Sequence, residues 1–438
     1  MRYRVFFAWI IVPALVLAAG VSLDGCSKAS QPYQSGRLYF SQKLFDKAAE
    51  QFEMAVREDP ENGKNHFELA KTYAELDRNE EAGIEFKTAV EKDPTLSEDV
   101  RDAIQHYRAD HFNSALSLMK DKAWGDAIAQ LQESIYLDPD EPNQYINMGY
   151  CYSELGETDL AVSYYEKAMQ LSPEDEKART NLIATFVSQA ADFREQKEYD
   201  QAIRFYRKVL ELHLDDPSID IAEASPKTLA EKTKGDDAGT GYLFDMGLTY
   251  LDKGESKNDK ETLKTATDIF KAVFEVNPAD DDALYNYGYA TMLGGDYARA
   301  IEIFGQLLDR RPREASYYML MATCYVKSGS TEEEAKTNIV LYFAIANSLQ
   351  SDQNRLKKSD YRDSGKHESR LKDKYRSWSD MKKALDSSGT PEDIYVYTDE
   401  SGHEFETWFY WTMGEAVVFN DGAEYGRVRF APQESGMR

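Results

Sequence analysis

Cysteine is nearly absent: three residues in 438 exclude a disulfide-stapled scaffold and a cysteine-rich metal module. Two of them, Cys151 and Cys324, each stand one residue before a tyrosine and are expected to be buried thiols too far apart for a disulfide. Histidine is as scarce, with six residues, and none forms HExxH or another metal-ligand spacing. His106 and His111 are five apart, off the i,i+4 face that a helical metal site uses. Asp280-Asp281-Asp282 lacks the alternation and the glycine of a calcium loop. GxSxG, Walker and GxGxxG motifs are missing, so the chain reads as non-catalytic, with neither metal nor cofactor. Positive charge is short as well. Against 52 basic residues stand 78 acidic ones, a net −26 that disfavours nucleic acid and anionic lipid surfaces.

Only Val5 to Leu23 approaches the roughly 20 apolar residues of a membrane span. Arg2 and Arg4 precede it, and Leu23-Asp24-Gly25-Cys26 follows it. That arrangement resembles a bacterial lipoprotein leader, although Asp24 replaces the usual small uncharged residue. The resemblance implies cleavage before Cys26, lipidation of Cys26 and a body facing the periplasm. Ser27 after the cysteine resembles proteins sorted to an outer membrane. An uncleaved transmembrane anchor is the alternative. Removal of residues 1–25 leaves 50 basic and 77 acidic residues, net −27.

What is present is a repeat. Tyr145, Met148, Gly149 and Tyr152 fall at i, i+3, i+4 and i+7, the stripe of one helix. Ala161, Tyr165 and Ala168 carry the stripe of a second, which Pro173 ends. This order resembles the tetratricopeptide repeat, a helix-turn-helix unit of about 34 residues. Gly36, Tyr39, Ala48, Phe52 and Pro60 occupy the same offsets, and so do Leu69, Tyr73, Ala82, Phe86 and Pro94. A third unit, through Ala115, Ala127, Leu131 and Pro139, follows an 11-residue insertion between Pro94 and His106. A fifth keeps Ala190, Phe193, Ala202 and Tyr206; a sixth keeps Met246, Gly247, Tyr250, Ala266 and Phe270 around an insertion. A seventh has Gly288, Ala300, Phe304 and Pro312, and an eighth, at Met321, Ala322 and Tyr325, degenerates in its second helix. The resemblance implies a mainly α chain, a right-handed α-solenoid of about eight such repeats over residues 31–350. Ser218 to Thr240 reads as a surface loop, and Asp252 to Lys264 as a widened turn.

Beyond the repeats, residues 352–386 carry 11 basic and 7 acidic residues, a local +4. Leu371, Tyr375, Trp378, Met381 and Leu385 space as one amphipathic helix, suited to capping the last repeat. Residues 392–431 alternate aromatic and β-branched runs with turn signals, a small antiparallel β-meander. Its buried face is Trp408, Tyr410 and Phe419 or the alternate set. The divisions are then 1–25 leader, 26–30 tether, 31–350 solenoid, 351–390 charged capping helix and linker, and 391–432 β-rich module.

Site residues follow from the resemblance too. In this family the first helices line a concave groove, and the fifth, sixth and ninth repeat positions face it. Those positions hold Phe244 and Tyr285, then Asn113, Asn147 and Asn286, then Tyr150 and Tyr289. Asparagine beside aromatic rings suits an extended peptide, because one amide can pair with a backbone N–H and C=O together. A basic clamp for carboxylates is not evident, since only Arg37, Lys71 and Lys120 approach those positions. The expected role is a scaffold for a protein partner in the bacterial cell envelope. A carrier of a small ligand or glycan in the same aromatic groove is the alternative.

Overall fold

The computed structural model describes residues 30–358, 371–375 and 377–434. The leader, Cys26 and part of the charged segment lie outside the described residues. The chain divides into two compact units, Met1–Ala178 and Arg179–Arg438.

Among the described residues, the first unit contains four helical hairpins. They are α1 (Gln31–Ser41) with α2 (Phe45–Glu58), α3 (Gly63–Ala74) with α4 (Asn79–Lys92), α5 (Ser97–Lys120) with α6 (Trp124–Leu137), and α7 (Pro142–Glu154) with α8 (Thr158–Leu171). Each connecting turn places one residue in the left-handed region: Lys43, Asp77, Lys122 and Gly156. The hairpins close on a small residue and a ring. A Cβ on Gly149 would stand 2.8 Å from the Tyr165 ring, so the ring occupies the space that the missing side chain leaves. Ala48, Ala82, Ala127 and Ala161 are fully buried at the matching place on each second helix. Tyr152 stacks on Tyr164 at 5.3 Å. Cys151 is a buried free thiol, and burial pushes its pKa up to about 11.

The 11-residue insertion is helical. A single 3-10 turn, Pro94–Leu96, leads into α5, which is 24 residues long. Eleven residues make about three helical turns, so the helix lengthens at its start without rotating its buried face.

The second unit begins within α9 (Glu176–Glu195), which pairs with α10 (Tyr199–Leu214). Then come α11 (Pro226–Lys232), α12 (Asp237–Lys257), α13 (Lys260–Val276), α14 (Asp281–Gly294), α15 (Tyr297–Arg310), α16 (Ala315–Ser328) and α17 (Glu333–Leu349). Two expectations are corrected here. Ser218 to Thr240 is not a surface loop, because it contains α11 and buries Ile221, Leu229 and Ala230 in the core beside α13. Asp252 to Lys264 does not widen a turn either. Gly247 and Phe270 are 23 residues apart where Gly149 and Tyr165 are 16, and the extra seven equal about two helical turns. Shared between α12 and α13, they lengthen both helices and return the ring to its glycine. Cys324, on α16, is the other buried free thiol.

After α17 come a helical turn, α18 (Leu371–Lys374), and α19 (Ser379–Ser388). A four-stranded antiparallel meander follows: β1 (Asp393–Thr398), β2 (Glu404–Tyr410), β3 (Glu415–Asn420) and β4 (Ala423–Arg429), in that order. Asp421 and Gly422, both with positive φ, form the two-residue turn between β3 and β4. The single capping helix expected over Leu371 to Leu385 is broken. Trp378 leaves the helical conformation, and its ring covers Gly422, where any side chain would collide with it.

The capping assignment shifts as well. It is the sheet that covers the last repeat, packing Phe405, Phe409, Trp411 and Val418 with Leu341 and Ile345 of α17. The opposite face, with Trp408, Tyr410, Val417 and Phe419, packs on Leu371, Tyr375, Met381 and Leu385. Both alternatives for the buried face are therefore realised at once. The drift of repeat eight has the same cause, since α17 must present apolar surface to α16 and to the sheet.

Two carboxylates are buried in this module. Asp393 accepts from Arg355 Nε at 3.0 Å and from Trp411 Nε1 at 2.7 Å. Glu406 accepts from Tyr375 Oη at 2.7 Å and from Trp408 Nε1 at 2.7 Å. Burial raises the Glu406 pKa against the pull of those two donors. A carboxyl raised in the folded state adds stability that is complete below its unfolded pKa and is lost as pH rises through its folded pKa. The stability difference between wild type and Glu406→Gln should therefore move against wild type as pH climbs above the ordinary glutamate range. Urea melts at a series of pH values check this, and a constant difference would contradict it.

Candidate functional site

The expected site residues fall in both units. In the first, Asn113 is exposed on α5, next to Phe112, whose ring lies 6.0 Å below the Arg108 guanidinium. Asn147 is half-buried on α7 and donates from Nδ2 to the Asn143 carbonyl at 2.7 Å. Tyr150, one turn further on, is 39 % exposed and meets Trp124 edge-on at 5.8 Å. Burial and then Glu154 raise its hydroxyl pKa. Lys71, one of the three basic residues near clamp positions, is engaged already, with Glu68 at 2.9 Å and over the Phe67 ring at 4.5 Å.

The second unit gathers the other four on adjoining helices. Asn286 on α14 repeats the geometry of Asn147, donating to the Asp282 carbonyl at 2.8 Å. Beside it Tyr285 and Tyr289 stack nearly parallel, 6.2 Å apart and 4° from coplanar, as residues one turn apart on a helix can. Tyr317 of α16 extends the row, 6.1 Å from Tyr285. Tyr289 Oη donates to Glu255 at 3.3 Å. Burial raises the pKa of both hydroxyls, with Glu314 adding to the effect at Tyr285 and Glu255 at Tyr289. Phe244, on α12, packs edge-on against Phe270 at 5.3 Å. Its outer side walls a pocket of about 510 Å³, where Asp237, Thr240, Asp280 and Asp282 also stand.

Sequence reasoning missed Tyr317, whose repeat is the degenerate one. It also missed Asp237, Glu255, Asp282 and Glu314, which carry no signal distinguishing them from ordinary surface charge. Among the described residues there is no group of three or more His, Cys, Asp and Glu able to hold a metal, and no helix long and apolar enough to cross a membrane. The surface offers rings, amides and carboxylates, groups that can hold a polypeptide segment.

The repeats have counterparts among known proteins. Family models described as tetratricopeptide repeat match residues 33–97 and 140–215, and one described as tetratricopeptide repeat protein 21 second ARM domain matches 245–329. The chain is similar to peptidyl-prolyl cis-trans isomerase FKBP4 of Bos taurus, 24 % identical over half of this chain and 43 % of the relative. It is also similar to Hsp70-Hsp90 organizing protein 3 of Arabidopsis thaliana, 26 % identical over 38 % of this chain and 25 % of the relative. The chain thus spans less than half the length of these curated relatives. Among solved structures, YrrB, described as a tetratricopeptide-repeat protein with an unusual peptide-binding site, aligns at 15 % identity over 50 % of this chain and 92 % of that one, with a TM-score of 0.31. With its glycine–ring hairpins and the family matches across both units, the chain belongs to the tetratricopeptide-repeat proteins.

Proposed function

We propose that this chain is a non-catalytic scaffold in the bacterial cell envelope, anchored by a lipid on Cys26, that holds an extended segment of a partner protein against the first-helix face of its repeats. The observation that carries this reading is the matched pair Asn147 and Asn286. Each sits at the same repeat position, beside an aromatic residue three positions on, with its amide nitrogen turned back onto its own helix. The amide oxygens accept no hydrogen bond among the described residues, so a bound backbone N–H has an acceptor waiting at both places. The name of one relative, an organizing protein for Hsp70 and Hsp90, supports a scaffold role.

A side-chain amide bonded to a partner backbone contributes about 0.5–1.5 kcal/mol net. Asn147→Ala/Asn286→Ala should therefore weaken partner binding about tenfold or more, with the melting temperature little changed because each amide bonds only to a carbonyl of its own helix. Titration of the co-purifying partner against both proteins measures it, and equal affinity would refute the groove. The anchor is tested separately. Cys26→Ala should abolish fatty-acid labelling and leave the precursor uncleaved, whereas an unlabelled wild type would leave the transmembrane alternative.

A further inference from the structure

We propose that the segment held by the second unit is basic, with an arginine or lysine side chain entering the pocket at Phe244 and its neighbours lying along Tyr285 and Tyr289. The inference rests on the peptide-holding reading above and names the chemistry of the partner.

Three features of the pocket converge on a cation. First, its lining residues include no lysine or arginine, while Asp237 of α12 and Asp282 of α14 bring carboxylates to it from two helices. Both are exposed, and neither forms an ion pair with a described residue. Their neighbours are committed elsewhere: Asp280 caps α14 through Ala283 N at 2.9 Å, and Asp281 pairs with Arg310 at 2.8 Å and Arg311 at 2.7 Å. Second, Phe244 offers a ring at the wall of the same pocket, and an aromatic ring next to carboxylates is the setting in which a guanidinium or ammonium is held from two sides. Third, the pocket's volume of about 510 Å³ accommodates a long side chain with room for its backbone at the mouth.

The carboxylates continue past the pocket. Glu255 takes the Tyr289 hydroxyl, and Glu314 lies close enough to Tyr285 to raise its pKa. Acidic residues in the first turn of a helix are ordinary, because the helix dipole favours them there. That accounts for Asp237 and Asp282 on their own helices, but not for their joining an aromatic wall around one cavity, nor for Glu255, which lies near the end of α12. In a chain of net charge −26 such a strip repels acidic segments and draws basic ones, with a salt dependence that follows the Debye length.

The test is selection of a random dodecapeptide library on the full chain, run beside Tyr285→Ala/Tyr289→Ala, with folding of both proteins verified by circular dichroism. Expected are sequences rich in arginine or lysine that enrich on wild type and not on the tyrosine variant. The selected peptide should bind Asp237→Asn/Asp282→Asn at least tenfold more weakly at low salt, with the helical circular dichroism retained and the melting temperature lowered only by the two lost helix-dipole contacts, because these substitutions keep shape and remove charge. Enrichment of neutral or acidic sequences that still requires the tyrosines would overturn the basic partner and leave the groove standing. Enrichment equal on wild type and tyrosine variant would overturn the groove itself. Undiminished affinity in the aspartate variant would remove the pocket from the account.

Discussion

Asp393→Ala should cost about 3 kcal/mol of stability, measured by urea unfolding of the full chain and followed by tryptophan fluorescence. Asp393 is 1 % exposed at the start of β1, and its carboxylate serves several elements at once. Arg355, from the segment after α17, bonds to one oxygen, and Trp411, from the turn after β2, bonds to the other at 2.7 Å. Arg313, from the turn before α16, comes within 3.8 Å and lays its guanidinium over the Trp411 ring at 4.3 Å. Removal of the carboxylate leaves the indole N–H buried without an acceptor and the cations facing each other. Arg355 and Arg313 are 36 % and 41 % exposed in their side chains, so water relieves part of their repulsion, and the loss belongs at the lower end of what breaking a buried pair costs. Asp393→Asn should recover part of it, since the amide oxygen still accepts from one donor. A loss under about 1 kcal/mol in the alanine variant would show that the module does not hang on this residue.

Asp393 also marks where the sequence stops being legible. The repeats announce themselves because one geometric event, a ring set into the gap beside a glycine or alanine, recurs at a fixed spacing. Gly36 with Phe52, Gly149 with Tyr165 and Gly288 with Phe304 are each 16 residues apart. Insertions hid in that register for a physical reason: lengths of 7 and 11 residues are close to whole helical turns, so they extend helices and preserve faces. Read as text, the seven-residue one looks like a widened turn. The segment with α11 was illegible because seven residues show too little periodicity to declare a buried face, although Leu229 is 2 % exposed. In the β-module the choice between faces failed because the question assumed one buried face. A sheet between α17 and α19 buries both, and continuous runs such as Phe405 to Trp411 are what such a sheet requires.

The candidate site was legible in its rings and amides and illegible in its charges. Tyr285, Asn286 and Tyr289 could be found because a helix brings residues one turn apart to one face, and the repeat says which face. Asp237 stands 45 residues before Asp282, and only the stacking of α12 beside α14 brings both to one pocket. In a chain with 78 acidic residues no local pattern separates these two from the rest.

Phe304→Ala should cost about 3–5 kcal/mol, the largest loss expected of any substitution considered for this chain. Phe304 is fully buried on α15, and a Cβ on Gly288 of α14 would stand 2.8 Å from its ring. At most core positions a truncated side chain is partly replaced by its neighbours moving in. Here the neighbour across the hairpin is a glycine with nothing to move, so the cavity stays open and its full penalty is felt. Phe304 belongs to the same core as Leu284, Ala300, Leu307 and Tyr317, and Tyr317 carries the aromatic row of the candidate groove. Contacts in a repeat array run between neighbours, so amide hydrogen exchange should quicken first in α14 and α15 and then in α13 and α16, ahead of the first unit. Binding should weaken along with it, because the stacked pair Tyr285 and Tyr289 rides on α14. Phe304→Leu, which refills most of the space, should return most of the stability. If Phe304→Ala melted within about 1 kcal/mol of wild type, the glycine–ring pair would not be what closes this hairpin, and the register assigned to all the repeats would fall with it.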